Sequence, residues 1–151
     1  MKKFNFRLEK IRRYKEQLEE DKKMKLAAER ARLYAEREKL TAIIEVHNRY
    51  FEQYGQERKG KLNIQLLVLT KRYLDKLSRD IRDQEKTIAE VENDVQVAQQ
   101  ELIEATKEKK KYEKLKEKYK ANYYKEMIKE ESQELDEFGM RENVVTQALA
   151  S

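Results

Sequence analysis

The densest chemistry in the chain lies in "KEKKKYEKLKEKYKANYYK", residues 107–125, where lysines interleave with Tyr112, Tyr119, Tyr123 and Tyr124. Ammonium groups neutralise phosphate and tyrosine rings stack on bases, so this is the pattern of a single-strand nucleic-acid groove. A second basic run opens the chain, with Lys2, Lys3, Arg7, Lys10, Arg12, Arg13 and Lys15 crowded around Phe4, Phe6, Leu8 and Ile11. Two features argue against nucleic acid. Acids interrupt both runs, and Tyr112, Tyr119 and Tyr123 recur at a spacing that turns their rings toward a helix partner, so packing accounts for them without a base. Nucleic acid is not an expected partner. The opening run is no secretory signal either, because charges recur every two or three positions where such a signal needs an apolar run of about 7–15 residues. A membrane-surface helix requires a broader apolar face.

Catalysis finds little footing. The single histidine, His47, has no cysteine or nearby serine to activate, the chain contains no cysteine, and no glycine-rich loop stands ready to cradle phosphate. His47 reads as a surface or seam residue. No catalytic residue, no cofactor site and no metal site is expected, and the protein is read as a non-enzyme. No stretch approaches the ~20 apolar residues of a membrane span, so membrane insertion is not expected and the cytoplasm is the default compartment.

What must position the charged runs follows from composition. Of 151 residues, 43% are charged and 38% hydrophobic, with three glycines and no proline, a mixture too polar for a broad core but rich in helix formers. In the second half, alternate steps of three and four give Leu67, Thr70, Leu74, Leu77, Ile81, Gln84, Ile88, Val91, Val95, Ala98, Leu102, Ala105, Lys109, Tyr112, Lys116, Tyr119 and Tyr123. Thirteen of these 17 are apolar, which makes the stripe the seam of a left-handed coiled coil. The first half repeats less cleanly: Phe4, Leu8, Ile11 and Leu18 set one phase, and Leu26, Leu33 and Leu40 resume it one position late, predicting a stutter. Ala27, Ala28, Ala31, Ala35 and Ala42 are placed along or beside that seam, allowing close helix approach.

Between the halves, Gly55 and Gly60 bracket a charged stretch and Asn63 is suited to cap a following helix. The pattern predicts an all-α fold, a long two-helix antiparallel coiled-coil hairpin forming one domain over 1–151. Its first helix runs from about 6 to 54, its tip from about 55 to 62, its second helix from about 63 to 138, and a flexible tail follows over about 139–151. At 1.5 Å per residue the arms are roughly 75 and 115 Å long, so the longer one overhangs. A parallel pair of chains is the competing arrangement; the monomeric hairpin is the more economical.

Two surpluses remain. Ile43, Ile44, Val46, Tyr50, Phe51 and Tyr54 before the tip, and Ile64, Leu66, Leu67, Val68, Leu69, Tyr73 and Leu74 after it, exceed what one seam can use. They form either a partner-binding patch or a small local cluster. Charge is polarised as well: residues 1–25 carry ten basic against five acidic side chains, and residues 107–129 carry ten against four. Antiparallel pairing brings these runs together into one basic end able to steer an acidic partner.

The start "KKFNFRLEKIRRYKEQLEE", the tip segments "LTAIIEVHNRYFEQY" and "LLVLTKRYLDKLSRDI", and the close "ESQELDEFGMRE" resemble the flagellar export protein FliJ family over nearly the whole chain. The resemblance implies a soluble component of the flagellar type III export apparatus, cytoplasmic and peripheral at the membrane, with a fold similar to the central stalk subunit of rotary ATPases. It implies three partners: the hexameric flagellar export ATPase, whose assembly and activity it promotes, the cytoplasmic domain of the export-gate membrane protein, and export chaperones. The family's gate-binding positions carry over onto Leu40, Ile43, Val46, Tyr50, Tyr73, Leu77, Asp80 and Gln84. The stalk analogy puts the basic end, with Lys2, Lys3, Arg7, Arg12, Arg13, Lys109, Lys110 and Lys111, into the ATPase ring. A structural coiled-coil spacer and the analogous stalk of a virulence secretion system are the alternatives.

Overall fold

The structure is a computed structural model and describes residues 3–61 and 63–150. Two helices account for nearly all of it: α1, Glu9–Glu57, and α2, Ile64–Ala150, packed against each other as a helical hairpin. The chain divides into two compact units. A terminal unit joins the first 18 residues to the chain from Ala105 onward, and a tip unit spans Glu19–Glu104.

In the tip unit α1 and α2 run antiparallel, and partner numbers fall on one helix as they rise on the other. Lys22 and Lys25 meet Glu101, Arg32 meets Asp94, Arg37 meets Glu92, Glu36 meets Gln84 and Tyr50 meets Tyr73. The α2 seam falls where the heptad repeat predicts it, with Thr70, Leu74, Leu77, Ile88, Val91 and Ala98 buried and Val91 fully so. Burying an aliphatic side chain of this size contributes about 1.5–3 kcal/mol, so a line of them holds the pair together.

The α1 side of the seam differs from expectation. Its least exposed positions step by three and four without interruption through Arg12, Lys15, Glu19, Lys22, Leu26, Glu29, Leu33, Glu36, Leu40, Ile43 and His47. No stutter appears in this burial pattern. Charged side chains occupy the seam positions at which the apolar pattern lapses, laying their aliphatic stems along α2 while their charged heads reach partners at the margin. Glu19 is 2% exposed, with Lys23 Nζ 3.1 Å from its carboxylate. Ile11 is 40% exposed, off the stripe to which its hydrophobicity had assigned it. The five alanines expected along the α1 seam are all exposed; the small residues that are buried, Ala98 and Ala105, belong to α2.

The element ends also shift. α1 begins at Glu9, not near residue 6: residues 3–6 are non-helical and lead into a turn in which the Glu9 amide donates to the Phe6 carbonyl. It continues through Gly55 to Glu57, whose carboxylate accepts hydrogen bonds from Gln53 Nε2 at 2.8 Å and from the buried Thr70 hydroxyl at 3.2 Å. Those bonds offset the ~1 kcal/mol that a helical glycine costs. Asn63 caps α2 as expected, its Oδ1 accepting from the Leu66 amide at 3.2 Å. The expected stop near Phe138 is absent: α2 passes through Gly139, which has no positive φ, to Ala150. One glycine among good helix formers, with no proline behind it, does not terminate the helix.

Candidate functional site

In the terminal unit, Phe4 and Phe6, on the non-helical segment before α1, lie against Tyr123 and Tyr119, one helical turn apart on α2. Ring centroids are 5.6 Å apart in both pairs, and Phe6 is 5% exposed. Two of the four tyrosines that could have stacked on bases, Tyr119 and Tyr123, thus meet phenylalanines, and Tyr123 also meets Tyr124 edge-on at 5.7 Å.

The basic residues of this unit fall into two groups. Arg12 is bound internally, its guanidinium 2.7 Å from Glu9 Oε1 and 3.0 Å from Glu16 Oε2, and these carboxylates push its pKa up, Glu9 chiefly. Lys116 of α2 reaches Glu9 Oε2 at 3.0 Å, so Glu9 sits between cations from both helices. Hydrogen bonds from Arg12 and then Lys116 lower its pKa from the ordinary 4.5 to about 2. Arg13 adds a longer 3.5 Å contact to the same carboxylate, and Lys109 lies half-buried, 3.9 Å from Glu113. Lys3, Arg7, Lys110 and Lys111 are exposed; Lys2 lies outside the described residues. Lys111, Lys114 and Lys118 also line one shallow groove floored by Leu115. Lys114 and Lys118 were not among the expected site residues, although their spacing from Lys111 on one helical face makes them readable in the sequence.

In the tip unit the positions expected to bind the export gate fall into three groups. Leu77 is buried and Gln84 lies in the seam, its Nε2 donating to the Glu36 carbonyl at 2.9 Å and to the Glu36 carboxylate at 2.6 Å. Those bonds hold the Glu36 pKa below the ordinary carboxylate value, Gln84 acting more strongly than Lys39. Leu40, Ile43 and Val46 are half-buried, as is Asp80, 3.9 Å from Lys76 Nζ. Tyr50 and Tyr73 form an edge-to-face pair, 4.6 Å between centroids, at the rim of the seam. The surplus apolar residues resolve toward exposure: Phe51, Ile64 and Leu69 are more than 60% exposed, and Leu66 and Val68 more than 40%. His47 stacks on Phe51 at 6.2 Å.

Among the described residues no group of three or more histidine, cysteine or acidic side chains is placed to hold a metal, and no helix is long and apolar enough to cross a membrane. Fold and surfaces together define a helical hairpin that presents a basic surface in one unit and an apolar one in the other. The chain belongs to the FliJ family: the model of the flagellar FliJ protein matches residues 4–144. No curated protein and no solved structure matches the chain. Membership gives it a flagellar, export-related role, in a family whose members are non-catalytic components of the export apparatus.

Proposed function

We propose that the protein serves flagellar type III export as a two-surface adaptor, binding the hexameric export ATPase through the basic surface of its terminal unit and the export-gate cytoplasmic domain through its tip. The observation that carries the reading is the division of the cations. Arg12 and Lys116 are spent on Glu9, whereas Lys3, Arg7, Lys110 and Lys111 point to solvent in the same unit. Exposed charge of one sign steers an acidic partner and makes its association salt-dependent. Family membership over residues 4–144 supports the assignment of that partner to the export ATPase.

At the tip, the gate contact centres on Tyr50 and Tyr73 with exposed Phe51, Ile64 and Leu69 around them, while Leu77 and Gln84 hold the seam beneath. Export chaperones are the third class of partner that the family likeness suggests. The test is ATP hydrolysis by the purified export ATPase with and without this protein. Stimulation is expected, fading with salt and with K3E, R7E, K110E and K111E combined. An absence of stimulation at every salt concentration overturns the ATPase contact. A chain mass of twice 18.3 kDa in solution moves the reading to a dimeric coiled-coil spacer.

A further inference from the structure

Beyond the contact between Phe4 and Tyr123, every side chain of α2 is exposed except Met127 and Gly139. This stretch is not uniformly polar. Tyr124, Ile128, Leu135, Phe138, Val145 and Leu149 are 45–84% exposed and follow steps of four and three in which Glu131 and Glu142 fill the remaining places. The stripe is about 39 Å long at 1.5 Å per residue. It is also one position out of phase with the seam, whose continuation past Tyr123 falls on Glu126 or Met127 and then Glu130. An extension of the α1 contact would have kept that phase, so the stripe is a second apolar face. Two carboxylates, Glu131 and Glu142, lie within the stripe, and counted over all its faces the helix between residues 126 and 142 carries seven carboxylates against Lys129 and Arg141, so this stretch is acidic as a whole.

We propose that this face of α2 docks a basic amphipathic α-helix of a partner protein, with apolar anchors at heptad spacing and Lys or Arg opposite Glu131 and Glu142. The alternative occupant is a second copy of this chain, and the stripe's own charges argue against it. An antiparallel pairing that sets Leu135 against Phe138 and Ile128 against Val145 of a second copy also sets Glu131 against Glu142, twice, inside the apolar stripe. Like charges brought together there are desolvated and repel. A cation at each place removes the conflict and adds charge-assisted hydrogen bonds. Helix-in-groove recognition reads anchors at this periodicity. The proposal does not rest on the ATPase and gate contacts proposed above, which are argued from other side chains.

The test uses the full chain and fluorescent synthetic helices of about 25 residues, alike in their heptad leucines and carrying Lys or Arg in one, and Glu in the other, at the two places that face Glu131 and Glu142. Anisotropy titration is expected to show binding of the basic helix only. L135D with F138D weakens it at least tenfold with the helical circular dichroism kept, and E131Q with E142Q weakens it severalfold. A tip variant, F51S with L69S, leaves it unchanged. Failure of the basic helix to bind, equal binding of both helices, or indifference to both stripe variants overturns the proposal. So does a dimer in sedimentation that L135D with F138D returns to monomer.

Discussion

The two units reach helix pairing by different means. The tip unit is closed by a row of aliphatic side chains on α2, Leu74, Leu77, Ile88, Val91 and Ala98, against an α1 stripe half made of charged stems. The terminal unit is closed by two phenylalanines of the non-helical lead-in, by the Glu9 carboxylate held between Arg12 and Lys116, and by Lys15 against Glu108. Burial of apolar area is indifferent to pH and salt, whereas ion pairs at a helix margin respond to both. Both units carry ion pairs across the helices, with Lys22 and Lys25 on Glu101, Arg32 on Asp94 and Arg37 on Glu92 in the tip unit, so what sets the tip apart is the aliphatic row beneath them.

The largest effect expected from breaking this contrast is at Phe6. Phe6→Ala removes the one buried ring of the clasp and costs about 3 kcal/mol or more. Its loss is local: amide exchange should accelerate in the first turns of α1, while the amides around Leu77 and Val91 keep their protection. Equal acceleration in both units would mean that they unfold as one cooperative body and that the contrast is only one of composition.

Leu77→Ala comes next, at about 2–4 kcal/mol for a buried leucine, read as a drop in melting temperature. The same variant sharpens the placing of the gate contact. With Leu77 5% exposed, its loss should weaken gate binding no more than the fall in folded fraction requires. Tyr50→Ala with Tyr73→Ala should weaken binding with helicity kept. Gln84→Ala is smaller again, roughly 2–4 °C in melting temperature, the size of one net side-chain hydrogen bond in a chain of this length. It should leave gate binding unchanged if the amide serves Glu36 alone.

These cases show where the sequence was legible. The α2 seam could be read position by position because its residues are apolar where they are buried, from Leu74 to Ala105. The α1 seam could not, because hydropathy scores a whole residue, and here Arg12, Lys15 and Lys22 lay their stems in the seam and Glu19 is buried whole; Ile11 and Leu18 drew the apolar reading off the stripe by one position. The tip surplus was visible as an excess of apolar residues. Which of them face outward was not, since Leu74 and Phe51 differ in register and hardly in chemistry. The stripe after Tyr124 escaped because Gly139 read as a helix end, which cut its heptads in two.

The smallest predicted effect is also the most selective. Glu9 has its pKa lowered from 4.5 to about 2 by Arg12 and Lys116. A carboxylate with a depressed folded value binds fewer protons folded than unfolded, so its contribution is fully present above pH 4.5 and is lost as pH falls through that window toward about 2. Glu36 and Glu101 are lowered too, by Gln84 and by Lys22 respectively, so acid loosens the tip unit in the same direction. The aliphatic row remains beneath those two, whereas the first turn of α1 has only the aromatic clasp beside Glu9. Acidification from pH 6 to about 3 should therefore accelerate amide exchange in the first turns of α1 before it does so around Val91, after correction for the intrinsic pH dependence of exchange. Glu9→Gln should abolish most of that difference by opening the turn already at pH 6, and it should lower stimulation of the ATPase if the exposed cations need an ordered first turn to meet their partner. A Glu9→Gln chain with the parental exchange profile at pH 6 would assign the closure of the terminal unit to Phe4 and Phe6 alone.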